Sequence, residues 1–321
     1  MYEAQDLHGL MAMMPAFATA DAANIRARNT VDVDNLKAGV DRIIRDGVNV
    51  IATTGSFGEF HTLLWDEFQT LTRATVEAVN KRIPLFIGCT ALNSREVVQR
   101  MEVARDAGAE GVLVGVPFYF PSTLDNALRF YQEIAELFPT LSIMLYHNPD
   151  LHHVRIPVEA FEQLVKIPSV VAIKDSHRTT RSFIELKHIV GHRISHFVIA
   201  GQYVPYAQLG AEGFWSYECW MGPWPALRLR DAVAAGDQTA AVEVMRDITG
   251  AYEGPPQLQW RETASKVAIR YAGYVDPGPL RPPFLTIPPD VDARMQARAK
   301  YWTELCAKYR PRVEATAPVT A

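Results

Sequence analysis

The chain has 321 residues, 48% hydrophobic and 21% charged, and 32 basic against 36 acidic side chains leave a formal charge of −4. That length can bury a sizeable core without disulfide staples, and a mildly acidic balance with no polybasic run speaks against nucleic acid as a partner. Cys89, Cys219 and Cys306 lie far apart with no C-x-x-C pair, which disfavours a disulfide scaffold and a structural zinc site. No apolar run approaches the ~20 residues that span a bilayer. No basic segment leading into an apolar one opens the chain, so a soluble, cytoplasmic protein is expected.

Short apolar runs mark eight candidate strands, at residues 9–17, 48–54, 84–89, 111–117, 142–148, 170–175, 196–201 and 213–219. Most are continuous rather than alternating, the pattern of parallel strands buried on both faces. Amphipathic stretches fall between them. In 33–46, Leu36, Val40, Ile43 and Ile44 share one helical face against Asp34, Lys37, Asp41 and Arg45. In 94–107, Val97, Val98, Met101 and Ala104 repeat the pattern behind a capping Asn93. Gly47, Gly108 and Gly210 stand where helix C-caps would feed the next strand.

Strands alternating with helices predict an α/β fold, a (β/α)8 TIM barrel with its core over residues 8–225. A doubly wound open sheet is the rival, but the G-x-G-x-x-G and P-loop patterns that favour it are absent. After Trp220 the texture turns helical, with helices expected at 226–236, 238–249, 261–272 and 293–309 around proline-rich breaks. Residues 226–312 form a C-terminal helical extension that should supply the last barrel helix, and 313–321 read as a frayed tail.

Barrel active sites sit at the C-terminal ends of the strands. Of eight lysines, set against twenty-four arginines, Lys174 alone terminates an apolar strand run. Such a lysine either snorkels to the rim or is desolvated, and a desolvated amine is a Schiff-base nucleophile. Tyr146 and Asn148 end the preceding strand at one parity, hence on one face. Tyr146 is either a proton shuttle beside the amine or an ordinary rim aromatic. Asn148 either orients water or a substrate carbonyl, or is a turn residue before Pro149. After the second strand, Gly55 and Gly58 flank Ser56 and Phe57, permitting a turn whose successive amides point at one spot and bind a carboxylate. Alone it is a generic βα turn, with Glu59 capping the next segment. His147, His152 and His153 lack a matched acidic partner, so no metal site is expected.

Together Gly55-Ser56-Phe57-Gly58-Glu59, Gly115-Val116-Pro117-Phe118-Tyr119, Tyr146 and Lys174 resemble the N-acetylneuraminate lyase / dihydrodipicolinate synthase superfamily of class I aldolases. The resemblance implies that Lys174 forms an imine with pyruvate and that Tyr146 relays protons. It also implies that Gly55, Ser56 and Phe57 bind the pyruvyl carboxylate. Phe57 stands where many members have threonine, so only its amide can serve. Dihydrodipicolinate synthase itself fits badly, because its carboxylate-binding arginine corresponds here to Leu151.

Thr90-Ala91-Leu92-Asn93-Ser94-Arg95-Glu96-Val97, Tyr146-His147-Asn148-Pro149, Phe214-Trp215-Ser216, Met221-Gly222-Pro223 and Arg281-Pro282-Pro283 are similar to the aromatic hydratase-aldolases of polycyclic-aromatic degradation. That likeness implies an arylidene pyruvate substrate, an aromatic aldehyde and pyruvate as products, no metal or organic cofactor, and a homotetramer. Phe57, Tyr119, Phe120, Trp215 and Tyr217 are candidates for the aldehyde side, with Ser216 and Gly201 beside them, whereas Trp220 reads better as core. Arg261 either binds a second substrate carboxylate through its planar fork or pairs with Glu262 or Glu253 on the surface. The overall resemblance implies trans-2'-carboxybenzalpyruvate as the substrate, giving 2-carboxybenzaldehyde and pyruvate. The alternatives are trans-o-hydroxybenzylidenepyruvate, a sugar acid cleaved or dehydrated by the same chemistry, a non-catalytic sensor of such acids, and a pyridoxal-phosphate lysine at Lys174.

Overall fold

In the computed structural model, which describes residues 1–250 and 258–311 with the side chains of 258–262 excepted, eight parallel strands close into a barrel. They are β1 (Gly9–Met13), β2 (Val50–Ala52), β3 (Leu85–Gly88), β4 (Gly111–Val114), β5 (Ser142–His147), β6 (Val170–Asp175), β7 (Ser195–Ile199) and β8 (Gly213–Ser216). β1 pairs with both β2 and β8, and the strands follow one another in chain order around the ring, so no sheet edge is left open. Each expected apolar run coincides with one strand, β7 starting one residue ahead of its run, and most strands are shorter than their runs. The run at 9–17 shows why. Beyond Met13 the chain leaves the ladder, yet Met14, Ala16 and Phe17 stay buried. Loops at this end are covered by the C-terminal extension, so apolar residues persist where strand pairing has stopped.

Local chemistry sets the helix limits. Asp32 accepts the Asn35 N–H to start helix Val33–Asp46, and Gly47 ends it at φ +106°, a left-handed conformation that glycine adopts freely. Leu36, Val40 and Ile43 form its buried stripe. Asn93 caps helix Ser94–Asp106 in the same way through the Glu96 N–H.

Helix Trp224–Ala234 follows β8 and packs on β1. Helices Gln238–Gly250, Leu258–Ala272 and Pro289–Tyr309 complete the extension, the last packing on both Leu258–Ala272 and Trp224–Ala234. Trp302 anchors it. The ring is fully buried, a burial worth roughly 4–6 kcal/mol by area, and its indole N–H donates to the Gly222 carbonyl at 2.9 Å. The three cysteines are free and buried. Among the described residues no helix is long and apolar enough to cross a membrane.

Candidate active site

Tyr146 and Lys174 are direct neighbours across the β5–β6 ladder, and strand alternation turns both side chains into the barrel. His147 and Asp175, one position on, are also partners and face the opposite way. Behind the site, His147 Nδ1 lies 2.9 Å from Asp175, and the Arg178 guanidinium lies 2.8 Å from the same carboxylate. Burial works against a charge on Asp175, but His147 and Arg178 outweigh it and hold its pKa well below the usual carboxylate range. His147 Nε2 accepts the Ile156 N–H at 3.2 Å, and Arg178 donates to the Ile156 carbonyl at 3.1 Å. This buried cluster fixes two strand ends and the segment between them.

The Lys174 amine sits between aromatic faces, 3.9 Å from the Trp215 ring centroid and 4.5 Å from that of Tyr146. Trp215 is held in place by its indole N–H, which donates to Ser176 Oγ at 2.9 Å. Among the described residues Lys174 makes no ion pair, so the ring faces are its electrostatic company. Such faces stabilise a cation, whether ammonium or iminium, without offering a base that would lock it.

The Tyr146 phenol oxygen lies 3.1 Å from Ser56 Oγ, joining the strand end to the turn after β2. His152 packs edge-on against the Tyr146 ring, with centroids 4.8 Å apart. It lies over Gly115, where a Cβ would stand 2.3 Å from the imidazole. Burial, then the neighbouring His147 and Lys174 charges, push the His152 pKa down to about 3, leaving it neutral near pH 7. The turn itself is tight. A Cβ on Gly58 would meet the Thr54 nitrogen at 2.5 Å, and the Glu59 N–H closes the loop onto the Ser56 carbonyl at 3.1 Å.

These groups meet in a cavity of about 410 Å³ at the C-terminal mouth of the barrel. Lys174, Tyr146, Asn148, Phe57, Trp215 and Gly201 all line it. Phe57 stacks on Tyr217, another wall residue, at 5.1 Å. Ser56 and Gly55 lie just behind, Ser56 on the Tyr146 phenol and Gly55 against the side chains of Met13 and Tyr146. Ser216 sits behind the wall, donating to Glu218 at 2.9 Å. Tyr119 and Phe120 are 71% and 76% exposed in the single chain and stay outside the cavity. Trp220 is core, fully buried edge-on against Phe17. The Arg261 side chain lies outside the described residues. The three histidines do not converge: His147 pairs with Asp175, His152 packs on Tyr146, and His153 ends the short helix Pro149–His152.

Sequence reasoning missed the cavity residues supplied by the extension, Ile248, Thr249 and Arg298. Arg298 is buried, donates to the Ile248 carbonyl at 3.1 Å and lies 3.7 Å from Glu218. Only its apolar surroundings in helix Pro289–Tyr309, with Met295, Ala299 and Trp302 on the buried face, hinted that it points inward.

The dihydrodipicolinate synthetase family profile matches residues 14–301. The trans-o-hydroxybenzylidenepyruvate hydratase-aldolase of Pseudomonas putida is 32% identical over 320 residues, covering 95% of this chain and 96% of its own. The trans-2'-carboxybenzalpyruvate hydratase-aldolase of Nocardioides sp. (strain KP7) is 28% identical over 295 residues, covering 88% and 89%. Among solved structures, PhdJ bound to a substrate intermediate superposes with a TM-score of 0.90 at 29% identity, covering 96% of this chain and 99% of the other.

Proposed function

This chain belongs to the dihydrodipicolinate synthetase family, and from that premise we propose that it is a Schiff-base hydratase-aldolase that splits an arylidene pyruvate into an aromatic aldehyde and pyruvate. The observation that carries the reading is the Lys174 amine, lodged between the Trp215 and Tyr146 faces with no ion pair among the described residues, at a cavity walled by aromatic rings.

The chemistry uses one amine twice. Lys174 attacks the ketone carbon of the substrate, and loss of water leaves an iminium conjugated with the carbon–carbon double bond. Water adds at the benzylic carbon and the electron pair runs to the iminium nitrogen. Protonation of the resulting enamine gives the hydrated iminium. A base then takes the proton of the new hydroxyl, and the bond between the benzylic carbon and its neighbour breaks. That electron pair again settles on the nitrogen, and the aldehyde leaves. The enamine takes up a proton, and water hydrolyses the iminium to pyruvate and free Lys174. Tyr146, within reach of Ser56, is assigned the proton transfers, and the amides of Ser56 and Phe57 the carboxylate. Asn148 is assigned to orient the attacking water. The imine is the electron sink, so the scheme calls on no separate cofactor.

For the ring substituent, the greater likeness to hydroxybenzylidenepyruvate enzymes favours an ortho hydroxyl over the ortho carboxylate expected from the sequence resemblance. A second reading, an ortho carboxylate, is carried by Arg298 on the cavity wall. Two measurements test the proposal. Cyanoborohydride with pyruvate should yield a reduced adduct that peptide mapping places on Lys174; an adduct elsewhere, or none on protein that cleaves substrate, removes the Schiff-base scheme. Comparing kcat/KM for the two substituted benzylidenepyruvates ranks the substituents, and a preference for the carboxylated one moves the assignment to Arg298.

A further inference from the structure

Glu59 ends the turn that carries Ser56 and Phe57, and its backbone is left-handed at φ +54°, a conformation uncommon outside glycine. Its side chain is not a local cap. The carboxylate is nearly buried, at 7% exposure, and meets Lys266 Nζ at 2.6 Å and the Arg281 guanidinium at 3.4 Å. Both cations come from the C-terminal extension, and both are almost wholly buried. Lys266 also donates to the carbonyls of Ala16 at 3.0 Å and Pro279 at 2.9 Å. Arg281 donates to Ala16, Phe17 and Thr30, and Thr30 in turn is held by Glu67 at the start of the helix after the turn.

We propose that Lys266 is a positioning residue for substrate carboxylate binding: through Glu59 it clamps the Ser56–Phe57 amides of the β2 turn to the C-terminal extension. The proposal rests on the carboxylate role assigned to those amides above. Its physical content is that the backbone bonds of Glu59 to Ser56 and Thr62 are local to the turn, whereas its side chain ties the turn to the extension through Lys266 and Arg281. Glu59 contributes the N–H that closes the loop onto Ser56, so a shift of Glu59 moves both amides. A cation placed at 2.6 Å and saturated by two further carbonyls is a rigid peg. Burial, opposed by Glu59, brings the Lys266 pKa down to about 8, so the peg keeps most of its charge at neutral pH.

The test compares pyruvate with acetone, which forms the same kind of imine but has no carboxylate. Trapping by cyanoborohydride is followed by intact mass in wild type, Lys266→Met and Glu59→Gln. The half-saturating pyruvate concentration should rise about 10- to 100-fold in either variant, the scale of one loosened charge-assisted contact. The trapping rate at saturating pyruvate and the rate with acetone should stay within about threefold of wild type. Combining the two substitutions should add little to the worse single one, because they cut the same linkage. If Lys266→Met fails to fold, as far-UV circular dichroism would reveal, Glu59→Gln carries the same comparison at almost unchanged volume. Equal losses with pyruvate and acetone, or no change with either in a folded variant, overturn the positioning role. A wild-type protein that traps no pyruvate at Lys174 instead removes the Schiff-base scheme on which this role depends.

Discussion

Among the described residues two lysines are buried, Lys174 at 7% exposure and Lys266 at 1%, and their surroundings could hardly differ more. Lys266 has a carboxylate at 2.6 Å and two carbonyls, so all three of its protons are taken. Lys174 has ring faces at 3.9 and 4.5 Å and open cavity beyond. Burial alone therefore does not make a nucleophile. Lys266 could attack a carbonyl only by giving up contacts to a carboxylate and two backbone carbonyls, whereas Lys174 has no such contacts to give up among the described residues, and an iminium formed on it would still face the Trp215 and Tyr146 rings. One lysine is built to hold backbone in place and the other to exchange bonds.

The sharpest way to break this contrast is to keep the charge and remove the chemistry. Lys174→Arg retains a cation between Trp215 and Tyr146 but cannot form the imine. Turnover of the arylidene pyruvate should fall by about 10⁴-fold or more, as for loss of a covalent nucleophile, with a melting temperature close to wild type. Turnover within tenfold of wild type would show that Lys174 acts only through its charge. It would leave the two lysines alike.

A smaller loss is expected from the partner that handles protons. Tyr146→Phe keeps the ring face over the amine and the edge contact with His152, and removes only the oxygen 3.1 Å from Ser56. Steady-state turnover should drop roughly 10²- to 10⁴-fold, while trapping of pyruvate on Lys174 still occurs. Loss of trapping together with turnover would mean that the phenol is needed to build the imine, and near-normal turnover would reduce Tyr146 to packing.

The difference between the two lysines was only half visible in the sequence, for a physical reason. Lys174 is legible because strand identity, strand end and inward parity are all local properties of a short apolar run. Tyr146 is legible for the same reason, and the barrel follows from eight such runs spaced by amphipathic helices. Lys266 and Arg298 sit in helices whose patterns show that one face is buried, but not which loop or cavity that face meets. Tyr119 and Phe120 illustrate the converse: hydrophobicity marks them for burial, yet the path of the loop after β4, which their composition does not encode, turns them to solvent in the single chain. Strand ends were overestimated wherever apolar residues continued under the extension, as at Met14 and Phe17.

The smallest effect sharpens the comparison through a titration beside Lys174 rather than through Lys174 itself. Burial, and then the charges of His147 and Lys174, press the His152 pKa down to about 3 from an ordinary 6.5. Between those two values the unfolded chain carries a proton on this side chain that the folded protein refuses. Stability is therefore highest above pH 6.5 and falls as the pH drops through that window, by up to about 1.4 kcal/mol per pH unit for one group. His196, buried against Phe183 and likewise pushed down to about 3, contributes with the same sign. His61 and His177, whose pKa values burial also lowers, add in the same direction, so urea unfolding between pH 6 and 4.5, above most of the carboxylate range, should show stability declining toward acid with a slope of about twice that unit or more. His152→Gln should lower this slope by up to about 1.4 kcal/mol per pH unit while leaving the curve above pH 7 nearly parallel to wild type. An unchanged slope would show that His152 takes its proton in the folded state after all, so that the surroundings of Lys174 tolerate a second cation.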